Sequence, residues 1–138
     1  MLKAFKYRLY PSKEQIVLLD KHIGACRFVY NLALEVKNYA YLNQRKSLSC
    51  FELMKDLPEL KKECEWLKEV DSQSLQQSII NLDKAFTQFF KHGANFPNFK
   101  KKSSSVQSFR SPPHRKIIID LSCMMVSCLL YIFLEVNI

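Results

Sequence analysis

A mainly α-helical domain with a short β portion is predicted by three observations. Apolar residues recur at steps of three and four through most of residues 13–92, which is the periodicity of amphipathic helices. Residues 3–10 alternate with period two, as strands do. The chain has 138 residues, 48% of them hydrophobic and 25% charged, which is enough to bury one core and too little for two.

The first element along the chain is a predicted strand whose two faces differ. Phe5, Tyr7 and Leu9 share one face. Lys6 and Arg8 share the other. The alternation therefore predicts a strand with one buried face and one basic face.

A capping box predicts where the first helix begins. In Ser12-Lys13-Glu14-Gln15 the serine hydroxyl and the glutamine amide can satisfy each other's backbone groups at a helix start. The apolar pattern then continues to residue 43, but Gly24 interrupts it, so we expect two helices or one helix broken near Gly24. Arg27, Asn31 and Lys37 are expected off the apolar face, with the Asn31 amide in solvent.

Two further helices are predicted. One should begin after Ser49, and Pro58 should end it or start a new turn. The last should begin after the N-cap pair Asp71 and Ser72, and it has the strongest apolar pattern of the chain, which is typical of a core helix. That pattern comprises Leu75, Ile79, Leu82, Phe86, Phe89 and Phe90.

Composition disfavours several classes of enzyme. The two glycines, Gly24 and Gly93, are too far apart to form a phosphate-binding glycine loop. The three histidines are scattered and no two of the five cysteines have C-x-x-C spacing, which disfavours a zinc site. Acidic residues in 49–90 lie close to lysines at helical spacing, which predicts a salt-bridged surface and no set of catalytic carboxylates. We therefore predict no cofactor, no metal and no active site.

The five cysteines bear on the cellular compartment. Their number is odd, and no secretory leader opens the sequence. We expect reduced thiols, which are commonly small buried hydrophobes, in a cytoplasmic protein.

The positive charge is concentrated in two parts of the chain. The net charge of +8 divides into +6 for residues 1–48, −3 for 49–90, +7 for 91–116 and −2 for 117–138. Segregated basic charge favours a polyanionic partner, whereas a uniform basic bias favours only solubility. The distribution therefore indicates binding of nucleic acid.

Residues 91–116 combine this charge with aromatic residues and lack helical periodicity. Prolines and a glycine punctuate Phe96, Phe99 and Phe109 and the triplet Lys100-Lys101-Lys102. Lysines can neutralise phosphates, and rings can stack on exposed bases. A solvated loop explains the lysines equally well, and aromatic residues beside a core helix more often pack on it.

Residues 117–134 differ from the rest because they are apolar apart from Asp120, Ser122 and Ser127. Their uninterrupted part, 121–134, is shorter than the roughly twenty residues that span a bilayer. Asp120 near its start is costly in lipid. A small membrane-associated protein with a basic segment and an apolar tail is therefore the alternative function, and the less favoured one.

Short motifs follow one another in residues 1–111. They are FKYRLYP (5–11), GACRFVYN (24–31), LKK (60–62), WLKEVD (66–71), LQQ (75–77), LDKAF (82–86), FPNFK (96–100) and QSFR (107–110). In this order they resemble the N-terminal part of TnpB-type (OrfB) proteins of bacterial insertion sequences. Members of that family are RNA-guided DNA endonucleases, in which the guide supplies sequence recognition and the protein reads a short flanking motif and the backbone.

The resemblance implies a fold and a set of contacts. The N-terminal strand would belong to a split wedge-like β-barrel, a helical recognition lobe would be inserted after it, and the chain would return to the barrel. The family cuts with a RuvC-like domain that has three metal-binding carboxylates and is interrupted by a zinc ribbon, both beyond the matched region. Contacts to the nucleic-acid backbone are implied for Lys3, Lys6, Arg8, Arg27, Tyr30 and Asn31, and reading of flanking DNA for Gln76.

We therefore predict four parts: an N-terminal barrel strand (1–11), a helix-turn-helix-like lobe (12–92), a basic aromatic loop (93–116) and an atypical apolar tail (117–138), which a frameshift would explain. The predicted function is binding of a guide-like RNA and of DNA by a truncated transposon-encoded protein that lacks nuclease activity. A decayed fragment without a stable fold is a third interpretation. The predicted nucleic-acid-binding residues are Lys3, Lys6, Arg8, Arg27, Tyr30, Asn31, Gln76, Lys100, Lys101, Lys102 and Arg110.

Overall fold

The structure is a computed structural model that describes residues 6–8, 12–102, 107–111 and 132–136, the three short ranges by their backbone alone. The elements are β1 (Lys6–Arg8), α1 (Lys13–Gln44), α2 (Cys50–Glu63), a 3₁₀ helix (Glu65–Glu69), α3 (Ser72–His92), β2 (Gln107–Ser111) and β3 (Ile132–Val136). The buried hydrophobic cluster lies between the helices. The prediction of a mainly helical protein is confirmed.

α1 is one continuous helix of 32 residues, so the predicted break near Gly24 is wrong. Its start is as predicted, because Ser12 and Gln15 form the reciprocal capping box. A glycine inside a helix costs about 1 kcal/mol. Burial of the flanking Ile23 and Ala25 against the core contributes more than that, so the helix continues through Gly24.

α2 continues through Pro58, which was predicted to end it or start a new turn. An internal proline removes one backbone hydrogen bond and costs about 3 kcal/mol. Two features offset this cost. Ser49 and Glu52 form a second capping box at the helix start. Leu53 and Leu57, which lie one turn apart just before the proline, are both buried.

α3 supplies the centre of the core, as its apolar pattern predicted. The side chain of Asp71 accepts from the backbone N–H of Ser74, and Gly93 ends the helix in the left-handed conformation at φ 63°. Leu75, Ile79 and Leu82 are buried. Phe86 is partly buried and packs against this core. The prediction is wrong for Phe90, which packs on Phe86 and Phe89 but is 75% exposed.

The three described strands form one small open sheet in the order β1-β3-β2. β3 pairs with β1 in parallel and with β2 in antiparallel register. The expected wedge-like barrel is not supported, because these strands do not close into one. The central strand comes from residues 132–136 of the apolar tail, for which the sequence predicted no element.

The membrane interpretation receives no support from the described residues. None of their helices combines the length and the hydropathy that crossing a bilayer requires. Residues 117–131, which motivated that interpretation, lie outside the described ranges.

The core assignment predicts the outcome of two leucine substitutions. Leu82→Ala removes a side chain with 0% exposure and should lower the free energy of unfolding by about 3 kcal/mol, because the loss of buried area adds to the cavity left behind. Urea denaturation followed by circular dichroism measures the change. Leu42→Ala is the control, since Leu42 is 72% exposed and its truncation should change stability by less than about 0.5 kcal/mol.

Candidate nucleic-acid interface

Residues 93–102, which we call the connector, leave α3 and run back along the helical body. Phe96 packs edge-on against Phe86 and Phe89, with ring centroids 5.5 and 5.4 Å apart. Pro97 is buried beside them. The expectation that Phe96 packs on the core helix is therefore confirmed. Phe99 is 52% exposed.

The side chain of Asn31 on α1 holds the end of the connector. Its Nδ2 donates to the backbone carbonyl of Lys100 at 3.0 Å, and its Oδ1 accepts from the backbone N–H of Lys100 at 2.8 Å. One amide thus satisfies both backbone groups of one residue, as a paired strand would. The sequence predicted a solvent-facing amide and did not indicate this contact with the connector.

The side chain of Lys100 turns back toward α1. Its ammonium group lies 4.3 Å from the centroid of the Tyr30 ring, which is a cation–π contact with a buried aromatic residue. Burial of the ammonium lowers the pKa of Lys100, although the residue as a whole is exposed. We call the contacts of Asn31 and Tyr30 with Lys100 the Asn31 clamp.

The Cys26 thiol lies near enough to the Lys100 ammonium to interact with it electrostatically. It donates to the backbone carbonyl of Ser74 at 3.6 Å. Burial raises the pKa of Cys26 to about 11, and the Ser78 hydroxyl and the Lys100 ammonium only partly oppose that rise. Cys26 is therefore a protonated, buried thiol at neutral pH. Its burial agrees with the prediction of a small structural hydrophobe.

Lys101 and Lys102 lie next to the clamp and are exposed. The three lysines of the predicted triplet thus have different surroundings in the structure. One lysine packs against a buried ring, and the two that follow it lie at the surface.

Arg27 and Gln76 lie on neighbouring turns of α1 and α3. The Cys26–Ser74 hydrogen bond joins those two turns. Arg27 is half-buried, and its guanidinium group lies beside Gly24, one turn earlier on α1. Gln76 is exposed. Both predicted residues therefore lie within two positions of a contact between α1 and α3.

The remaining predicted residues lie in the sheet or outside the described ranges. The register places Lys6 of β1 and Arg110 of β2 level with the same residue of β3, Phe133. Arg8 is level with Glu135. Since neighbouring strands lie about 4.8 Å apart, the backbones of Lys6 and Arg110 are about 10 Å apart across the sheet. Lys3 lies outside the described residues.

Lys37 is a residue whose role the sequence did not indicate. It was predicted to lie off the apolar face of α1, but its side chain is only 12% exposed. Its ammonium pairs with Asp83 of α3 at 3.0 Å and lies 4.9 Å from the ring of Phe86. Helical periodicity places each residue on its own helix but does not show that the two helices meet there. Nothing in the local sequence therefore indicates the Lys37–Asp83 pair.

The acidic segment is a salt-bridged surface, as predicted. Pairs within its helices join Glu59 to Lys62 at 2.9 Å and Glu65 to Lys68 at 3.8 Å. Both pairs are exposed, so each contributes little to stability. Within the ranges that the structure describes, no three His, Cys, Asp or Glu side chains are grouped so that they could hold a metal ion.

Comparison with known proteins gives a family match at the N-terminus. Residues 1–46 match the OrfB family model that is described as a helix-turn-helix domain. In the structure the matched range includes β1 and all of α1, and the turn into the next helix begins only at its end.

Three relatives are similar over most of the chain. InsQ of Escherichia coli (strain K12), named as an RNA-guided DNA endonuclease, is 38% identical over 118 residues, which are 84% of this chain and 29% of InsQ. A Streptomyces pristinaespiralis protein, also named as an RNA-guided DNA endonuclease, is 38% identical over 105 residues, 75% of this chain and 26% of that protein. The virulence protein VsdF of Salmonella dublin is 42% identical over 113 residues, 74% of this chain and 95% of VsdF. The chain thus spans under a third of the two proteins named as endonucleases and nearly all of VsdF.

Proposed function

The chain belongs to the OrfB (TnpB-type) family of insertion-sequence proteins, and on that premise we propose that it binds nucleic acid without cutting it. The proposed partners are a structured, guide-like RNA and the DNA that such a complex meets. The observation that carries the proposal is the connector, which holds exposed lysines at a fixed place on the helical body.

Charge and exposure favour the connector as a phosphate-binding surface. Residues 91–116 contain seven Lys or Arg and no Asp or Glu. Lys101 and Lys102 are exposed, and each contact of such a lysine with a phosphate releases condensed counterions, which drives binding. The exposed ring of Phe99 beside them offers a face on which an unpaired base can stack.

Further contacts are proposed on both sides of the connector. On the helical body Arg27 would bind a backbone phosphate, and Gln76, with an amide that both donates and accepts, would read a base edge of DNA. In the sheet we propose backbone contacts for Lys6, Arg8 and Arg110, which the register places within one small area. Lys3 is proposed with them because it precedes the same basic strand.

DNA cutting in the relatives is proposed to belong to the parts of them that this chain does not match. The chain spans 29% of InsQ and 26% of the Streptomyces protein, both named as DNA endonucleases. Metal-dependent hydrolysis of a phosphodiester needs several carboxylates that converge on a cleft. Within the described helices, Glu59 and Glu65 instead pair with neighbouring lysines at the surface.

We expect the full chain to bind a structured RNA hairpin with an affinity that falls steeply as salt rises. With about three to six phosphate contacts in the single-stranded loop of the hairpin, the slope of log Kobs against log salt should be about −2 to −4, since each contact with a single strand contributes about −0.7. Replacing Lys101 and Lys102 together by Gln should reduce the magnitude of the slope by about 1.4. Fluorescence anisotropy across roughly 50 to 300 mM NaCl measures both slopes.

The matched control is the double variant Lys55→Gln and Lys84→Gln. It removes the same charge from two exposed positions of the acidic segment, so the slope should stay as in the unaltered chain. An affinity that does not depend on salt would contradict the proposal. So would an equal loss of slope in the control, because total charge rather than the connector would then drive binding.

The second prediction concerns cutting. Incubated with a guide RNA, a matching labelled DNA duplex and Mg²⁺, the full chain should leave the duplex intact on a denaturing gel. InsQ at full length, assayed in parallel with its own guide, is the positive control. Reproducible cuts at a fixed position by this chain would refute the proposal that it binds without cutting.

A further inference from the structure

We propose that Asn31 and Tyr30 are positioning residues that hold the connector on α1, so that Lys101 and Lys102 bind phosphate while Lys100 is the fixed lysine of the clamp. The inference rests on the proposed function. The sequence predicted Asn31, Tyr30 and Lys100 as nucleic-acid contacts. The inference assigns them contacts within the protein instead.

The geometry of Asn31 is the first reason. Both the oxygen and the nitrogen of its amide already bond to the backbone of Lys100, at 2.8 and 3.0 Å. A base or phosphate that bound this amide would have to replace one of the two bonds, and the connector would lose that attachment to α1. The contact that Asn31 makes in the folded chain is thus the one that holds the connector.

The placement of Lys100 is the second reason. Its ammonium lies over the Tyr30 ring at 4.3 Å, and Tyr30 is buried. A cation in that position has exchanged water for the face of a ring. Drawing it out to a phosphate would break the contact, whereas Lys101 and Lys102 are exposed residues.

The third reason is that the connector has no helix or strand of its own between residues 93 and 102. Its course is set by the packing of Phe96 and Pro97 at one end and by the Asn31 clamp at the other. Fixing Lys100 reduces the number of positions that the next two residues can adopt. They therefore lose less conformational entropy when a phosphate binds.

The test uses the full chain and the RNA hairpin described above. Asn31→Ala should weaken binding by about three- to tenfold at every salt concentration while leaving the slope unchanged. The reason is that fewer molecules hold the connector in place, although the bound complex keeps its phosphate contacts. Lys100→Gln should behave in the same way, because Lys100 contacts no phosphate. Lys101→Gln should instead reduce the magnitude of the slope by about 0.7.

Limited trypsin digestion measures the clamp without nucleic acid. Asn31→Ala should speed cleavage after residues 100–102 by at least about threefold, because release of the connector exposes its backbone to the protease. Mass spectrometry of the early fragments identifies the cut, and circular dichroism checks that the helices remain. Lys100→Gln, which removes the contact with Tyr30, gives a second test if Asn31→Ala folds poorly. Trypsin no longer cleaves after residue 100 in this variant, so only cleavage after residues 101 and 102 is compared with the unaltered chain.

Asn43→Ala is the matched control for the asparagine substitution. Asn43 lies on the same helix and is exposed. Its Nδ2 donates to the backbone carbonyl of Tyr39 within α1. Its loss should alter neither the trypsin cleavage after residues 100–102 nor the RNA affinity. The control therefore separates the clamp from a general effect of removing an amide from α1.

Two results would overturn the positioning role. In one, Asn31→Ala lowers the slope as Lys101→Gln does, which would make Asn31 a direct phosphate contact. In the other, Asn31→Ala releases the connector but binds RNA as tightly as the unaltered chain. If the unaltered chain itself binds no RNA, the proposed function fails, and release of the connector in the trypsin assay still confirms the clamp as a structural contact.

Discussion

Asn31 ties the basic connector to the helical body through both backbone groups of Lys100, and the proposed binding surface depends on this tie. Two further features of the fold are needed for it. α1 must continue through Gly24, so that the helix start and Asn31 belong to one rigid element. α3 must pack on α1, which the buried leucines and the Lys37–Asp83 pair secure, so that the connector leaving α3 passes Asn31.

The connector and the α2 side of the helical body differ in charge. Glu59 of α2 and Glu65 of the 3₁₀ helix pair with lysines of the same elements, and the segment that contains them, residues 49–90, has a net charge of −3. Lysines of the connector lie in a stretch that has no acidic residue. A polyanion is therefore attracted to the connector and repelled by the α2 side of the body. Family membership and this asymmetry support the same proposed partner, but they are independent observations.

Local sequence signals predicted the parts of the fold that depend on neighbours along the chain. The capping box at Ser12 and the apolar pattern of Leu75, Ile79 and Leu82 are examples. Gly24 and Pro58 misled the prediction because each has a local cost that burial elsewhere on the same helix offsets. The Asn31 clamp joins residues 69 positions apart, and no periodicity connects them. The family resemblance did indicate Asn31, but as a contact to nucleic acid and not as an anchor for the connector.

The most direct measurement of the central claim is the hydrogen exchange rate of the Lys100 backbone amide, followed by NMR in the full chain without nucleic acid. The account predicts exchange slower than in an unstructured peptide by at least about tenfold, because Asn31 Oδ1 accepts from this N–H, and a return to the unprotected rate in Asn31→Ala. Exchange at the unprotected rate in the unaltered chain would show that the connector is not held at Asn31 and would contradict the account.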